Sequence, residues 1–135
     1  MGASQPELRV RVGVDIVGVP RVRRLVTENA GVERVLFTER EVAYCNGKRR
    51  RFEHLAARFA AKEAVLKTIG TGLGSRMRWT DVEVVRGPAG RPEVRLEGAV
   101  ATAASRRGID AIDVSLSHTE DYAVAQVVAV QCAST

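Results

Sequence analysis

The sequence predicts a single α/β domain of the α+β kind, in which an antiparallel-rich sheet packs on one long central helix. Three observations carry this. RVRVGVDIVGV near the start alternates with the period of a strand. RFEHLAARFAAKEAVLKTI, residues 51–69, contains no Pro or Gly and is rich in Ala. IDAIDVSLSH and YAVAQVVAV near the end alternate again and are separated only by a short polar turn. At 135 residues, 45% hydrophobic and 27% charged, the chain has the length of one domain, with enough apolar surface for a core without disulfides or structural metal.

The elements follow in order. In the first strand Val10, Val12, Val14 and Ile16 share one face, expected to be the apolar one, while Arg11, Gly13, Asp15 and Val17 share the other. Pro20 can open a short helix from Arg21 to about Asn29, stopped by Ala30–Gly31. Thr38 with Glu41 three residues on has the spacing of a capping box and predicts a second short helix ending near Asn46–Gly47. The basic turn KRRR leads into the long helix, which stops at Gly70. Its predicted apolar face is Phe52, Leu55, Ala56, Phe59, Leu66 and Ile69. After the glycine-rich loop GTGLGSRMRW come DVEVVR and RPEVRLEG, two strands joined by GPAG. Pro92 places the second at a strand start or on an edge. A short helix over Ala99–Arg107, ended by Gly108, precedes the two last strands. Residues 1–9 read as a leader, 10–130 as the domain and 131–135 as a short tail.

Composition bounds the function. Lys plus Arg is 21 and Asp plus Glu is 16, so the formal charge is +5. This favours a partner or substrate rich in phosphate or carboxylate. Aromatics at 4% are too few for a row of base-stacking platforms, so nucleic acid is not the expected partner. MGASQPELRV lacks the apolar core of a secretory signal and there is no run of 18 apolar residues, so the expectation is a cytoplasmic protein with no membrane partner. Cys45 and Cys132 match no ligand spacing and read as free thiols.

Two carboxylates stand in awkward places. Glu63 falls along the edge of the long helix's apolar face, where an ionised group must be paired, hydrogen-bonded or metal-bound. An i,i+4 pair with Lys67 would satisfy it equally well. Asp15 lies near the carboxyl end of a strand, where ligand sites gather, though a turn-forming Asp would look the same. Together the two could share a hard cation, and Mg²⁺ commonly takes one or two carboxylates plus phosphate oxygens. Lys62 and Lys67 flank Glu63, Arg58 lies one turn earlier, and Arg21, Arg23 and Arg24 follow Asp15. Such a grouping is a clamp for a phosphoryl group. His54 reads as a rim residue of the long helix, and His118 as either a phosphate donor or a turn cap. The glycines do not spell GxxxxGK[ST], which excludes a P-loop.

VGVDIVGVPR at 12–21, FTEREVAYC at 37–45, RFAAKEAVLKTIGTG at 58–72 and SLSHTEDYAVA at 115–125 together resemble the holo-acyl-carrier-protein synthase family, the small phosphopantetheinyl transferases. The resemblance runs from about Val10 to Val130 and implies a 4′-phosphopantetheinyl transferase-like fold. It implies Mg²⁺-dependent transfer of 4′-phosphopantetheine from coenzyme A to a serine of an acidic apo acyl carrier protein, releasing adenosine 3′,5′-bisphosphate. Asp15 and Glu63 would then hold the metal, and Lys62 would contact the reacting phosphates. Arg58, Lys67, Gly70 and His118 would help hold the coenzyme, while Arg21 and Arg24 would dock the carrier. The family also implies a homotrimer with active sites shared between subunits. One departure is Gly18, where the family often has an acidic residue. Two other readings use part of the same pattern: a noncatalytic basic domain binding a polyanion through Arg49–Arg51, and a different Mg²⁺-dependent enzyme of nucleotide diphosphates.

Overall fold

The computed structural model describes residues 7–133. The elements run β1 (Glu7–Gly18), α1 (Val19–Glu28), α2 (Val32–Leu36), α3 (Glu39–Asn46), α4 (Arg51–Ile69), β2 (Val82–Arg86), β3 (Pro92–Leu96), α5 (Gly98–Arg106), β4 (Ile109–His118) and β5 (Tyr122–Ala133). β5 lies between β1 and β4 in a three-stranded antiparallel sheet, and β2 and β3 form a separate antiparallel hairpin. Strand pairing begins at Glu7↔Ala133, so β1 starts inside the expected leader and β5 runs into the expected tail. Residues 1–6 and 134–135 of those two segments lie outside the described residues.

Local chemistry sets most boundaries as read from the sequence. Pro20 stands at the start of α1, where its missing N–H costs nothing. Thr38 and Glu41 close a reciprocal capping box on α3. α4 spans the expected 19 residues and ends on Gly70 at φ 91°, a left-handed conformation that glycine adopts without a Cβ clash. Pro92 is the first residue of β3, which pairs only with β2. The five-residue α2 carries too few residues to show a period and was not expected.

Two expectations fail, for one reason. α4 is buried nearly all round: Ala57, Ala60, Ala61, Ala64 and Val65 join the expected Leu55, Ala56, Phe59, Leu66 and Ile69, while Phe52 is only half-buried. It packs on β1 and β5 and meets α1, α3, α5, β2 and β4 as well, so no stripe describes it. The face of β1 that packs on α4 is the one bearing Gly13 and Val17, and not the apolar face. A Cβ on Gly13 would lie 2.5 Å from the Ala64 carbonyl oxygen and collide with Thr68 Oγ1, so only glycine lets helix and strand approach this closely. Leu8, Val10, Val12, Val14 and Ile16 are each more than half exposed on the opposite face.

The thiols are unpaired as expected. Cys45 is buried, which pushes its thiol up to about 11 and leaves it inert at neutral pH.

Candidate active site

α4 crosses the three-stranded sheet and divides the candidate residues into two groups, one along each flank. On the β1 flank, Asp15 projects from the strand toward the helix, and Lys67 Nζ bonds its Oδ1 at 2.6 Å while approaching the Val14 carbonyl at 3.5 Å. The bond to Asp15 holds the Lys67 ammonium above its ordinary range. Glu63, one turn before Lys67, faces the same place. Burial raises its pKa, and the Asp15 charge raises it further, against the opposing pull of Arg21 and Lys67. Spacing alone offered a Glu63–Lys67 pair; the structure instead gives Lys67 to Asp15.

Asp15 and Glu63 therefore form a half-buried pair of like charges that destabilise each other, an arrangement a divalent cation relieves. No group of three or more His, Cys, Asp or Glu that could hold a metal occurs among the described residues. The pair suits a hard ion that completes its shell with water and phosphate oxygens, and it does not suit a fully protein-caged one. Arg21, whose charge acts on Glu63, stands at the rim of this flank, and Arg24 is exposed one turn further along α1. Gly18 is the N-cap residue of α1 and lends it no side-chain cap. A Cβ there would have Arg21 Cβ at 3.9 Å as its nearest neighbour, so a side chain could start from this position without a clash. Gly70 opens beside Lys67 on a polar cleft with Arg11, Arg107 and Gln131.

On the β4 flank Arg58 and His118 line a cavity of about 180 Å³ with Tyr44, His54 and Arg86. Arg58 is only 5% exposed, its guanidinium lies 4.1 Å from the centre of the Tyr44 ring, and its Nε has no hydrogen-bond partner. A buried cation with an unmet donor at a cavity wall invites an anionic oxygen. His118 Nδ1 lies 2.8 Å from Glu53 Oε1, and the His54 ring packs against His118 edge-on at 4.8 Å. Burial and the surrounding positive groups push the His54 pKa down. His54 is thus a wall of this cavity as well as a helix rim.

Lys62 is the correction. It was expected at the reacting phosphates, yet its side chain is fully buried on a third side of α4. Its Nζ donates to Glu41 Oε1 at 2.7 Å, to the Trp79 carbonyl at 3.1 Å and to the Val82 carbonyl. Burial pulls its pKa down and Glu41 opposes that. All three ammonium protons are engaged, so Lys62 ties α4 to α3 and β2 and presents nothing to a ligand. Glu41 had been absorbed into the capping box in the sequence reading, which hid its second role. Glu53 was missed because its partner His118 is 65 residues away. A concavity of about 710 Å³ opens between α2 and α3 beside Phe37 and Val42 and contains none of the candidate residues.

Residues 11–127 match the model of the 4′-phosphopantetheinyl transferase superfamily. The chain is 49% identical over 117 residues to the holo-[acyl-carrier-protein] synthase of Geobacter sulfurreducens, covering 86% of this chain and 93% of that one. Among solved structures, holo-[acyl-carrier-protein] synthase from Neisseria meningitidis superposes with a TM-score of 0.79 at 30% identity, over 88% of this chain and 96% of that one. The Bacillus anthracis synthase in complex with CoA (3′,5′-ADP) gives 0.75 at 30% identity, over 93% and 99%.

Proposed function

Because the chain belongs to the holo-acyl-carrier-protein synthase family, a family of enzymes, we propose that it transfers 4′-phosphopantetheine from coenzyme A to a serine hydroxyl of an apo acyl carrier protein and releases adenosine 3′,5′-bisphosphate. The observation that carries this reading is the Asp15–Glu63 carboxylate pair with Lys67 bonded to Asp15, a site whose excess negative charge is matched by a divalent cation. Asp15 and Glu63 are the residues that would hold Mg²⁺, which when bound neutralises charge on the coenzyme's diphosphate.

The chain's own groups account for the remaining steps. The carrier serine Oγ attacks the β-phosphorus of coenzyme A. The bond from that phosphorus to the bridging oxygen breaks, and the electron pair leaves with adenosine 3′,5′-bisphosphate. We assign the serine proton to Glu63, the half-buried carboxylate that faces this site beside Asp15. Lys67 both holds Asp15 in place and offers positive charge to the departing phosphate. Arg58 and His118 supply a second, cationic cradle for the coenzyme's phosphates, and Gly70 leaves open backbone beside Lys67. Lys62 supports this arrangement from the core and does not touch the substrate. Arg21 beside Glu63 and Arg24 one turn further along α1 are both exposed, and they are the residues we assign to the acidic surface of the carrier.

Because α4 separates the two clusters, one coenzyme is better served by the β1 flank of one protomer and the β4 flank of another. The stripe of Leu8, Val10, Val12, Val14 and Ile16, exposed by 57–68%, is the surface we assign to that contact. A homotrimer closes such a head-to-tail contact by three-fold rotation.

The test is intact-mass spectrometry of a verified apo carrier incubated with the chain, coenzyme A and Mg²⁺. A gain of one phosphopantetheine that EDTA abolishes is expected. No gain across a panel of verified apo carriers overturns the reading.

A further inference from the structure

The first turn of α4 holds a carboxylate to which the transfer chemistry gives no task. Glu53 is 7% exposed and receives His118 Nδ1 at 2.8 Å and Arg50 Nη1 at 3.3 Å. The His118 bond, reinforced by Arg50, keeps its carboxyl below the usual range, so it is an anion at neutral pH. An ionised carboxylate only accepts, so Nδ1 of His118 must carry a proton. Nε2, across the ring, has no hydrogen-bond partner among the described residues, and His118 lines the cavity shared with Arg58 and Arg86. Edge-on packing by His54 limits rotation of the ring from the other side.

We propose that Glu53 is a positioning residue that fixes both the ring plane and the Nδ1 proton of His118, and thereby presents Nε2 to an anionic oxygen in the Arg58 cavity. The inference rests on the coenzyme A reading for the identity of that oxygen, and on geometry for the dyad itself. To donate to a bound phosphate, Nε2 must take up a second proton from solvent, and the ring then lies between two anions, Glu53 at Nδ1 and the phosphate at Nε2. Arg58 and Arg86 share the phosphate charge. Without Glu53 only packing restrains the ring, and its neutral form reverts to the Nε2-protonated tautomer that free imidazole side chains favour in water.

Two measurements separate this role from simple structural support. Long-range ¹H–¹⁵N spectra of the free protein, at a pH where the ring is neutral, should show His118 protonated on Nδ1 in the wild type and on Nε2 in Glu53→Ala. An Nε2–H tautomer in the wild type overturns the proposal, whether or not the variant folds. In steady state, Glu53→Ala and His118→Ala should each raise KM for coenzyme A about tenfold, the loss of one charge-assisted hydrogen bond, with kcat within about twofold. Glu53→Gln, which retains an acceptor, should recover most of that. The double variant should be no worse than His118→Ala alone, because Glu53 acts only through the histidine. Additive losses overturn the proposal. Wild-type protein that neither binds nor turns over coenzyme A would defeat the functional reading instead, and the tautomer, read without ligand, would still decide the dyad.

Discussion

Lys62→Met separates the position of Lys62 in the structure from the one its motif implies. The Lys62 and Glu41 side chains are both 0% exposed and bond at 2.7 Å. Glu41 is further held by the backbone N–H groups of Val84 at 3.0 Å and Thr38 at 2.9 Å. Methionine preserves the stem's volume but leaves Glu41 as an uncompensated buried charge, a loss of about 3–5 kcal/mol. Set against a typical total of about 5–15 kcal/mol, that is a large share of the fold. For a chain of this length it lowers Tm by about 10–15 °C. Glu41→Gln combined with Lys62→Met removes the orphan charge and should recover about 2 kcal/mol or more, even with one backbone N–H left unmet. The assay is thermal unfolding at one protein concentration, so that any contribution from association is held constant, alongside coenzyme A affinity below the transition. Affinity of the folded Lys62→Met protein should stay within about twofold of wild type, because nothing at the cavity has changed. An unchanged Tm with lost coenzyme binding would show Lys62 at the phosphates and refute the core assignment.

Five further outcomes are expected. Glu63→Gln should abolish turnover yet raise the Tm of the metal-free protein at neutral pH. A carboxyl whose folded pKa is raised contributes stability when protonated, and that contribution is lost as pH rises through the folded value. By the same titration, turnover at limiting Mg²⁺ should fall on acidification at a higher pH than an ordinary carboxylate would give, and saturating Mg²⁺ should move the fall to lower pH. A lower Tm for Glu63→Gln, or a pH profile indifferent to Mg²⁺, would contradict the paired site. Gly13→Ala should destabilise by about 1–3 kcal/mol through overpacking against Ala64 and Thr68, and a melt that matches wild type would show that α4 can retreat from β1. Val12→Asp places a charge in the exposed apolar stripe and should reduce the sedimenting mass to that of one chain with loss of turnover; an unchanged mass excludes the stripe as the contact. Arg21→Glu should weaken carrier binding, most at low salt, while leaving coenzyme A affinity near wild type, and equal carrier affinity would remove Arg21 from the docking surface.

Much of the site was legible where the signal is local. Asp15, Glu63 and Lys67 sit within a strand and a helix whose limits follow from alternation, capping and glycine. The motifs at 12–21 and 58–72 carried the family resemblance before any contact was known, while the helical spacing of 63 and 67 offered a simple ion pair. Arg58 and His118 were likewise carried by their motifs, and the structure places them on one cavity. The partners were not legible. Glu63 and Lys67 are one turn apart and could have paired, yet Lys67 bonds Asp15, 52 residues away in sequence. Lys62 and Glu63 are neighbours in one motif, but adjacent helix positions point about 100° apart, so one turns into the core and the other toward the carboxylate site.

The same distinction holds for the fold. The sequence by itself determined the ends of α1, α3, α4 and α5 to within two residues and the start of β3, because caps, prolines and glycines act on the few residues beside them. It determined the family for the same reason, since motifs are short and contiguous. Only the tertiary structure decided which face of β1 is buried. Alternation says that Val10, Val12, Val14 and Ile16 need covering, but it does not say by what. Gly13 lets α4 press against the other face, so the apolar one is left exposed. Burial and pairing are properties of what lies across a gap in space, and that neighbour is fixed by long-range packing that no local pattern encodes.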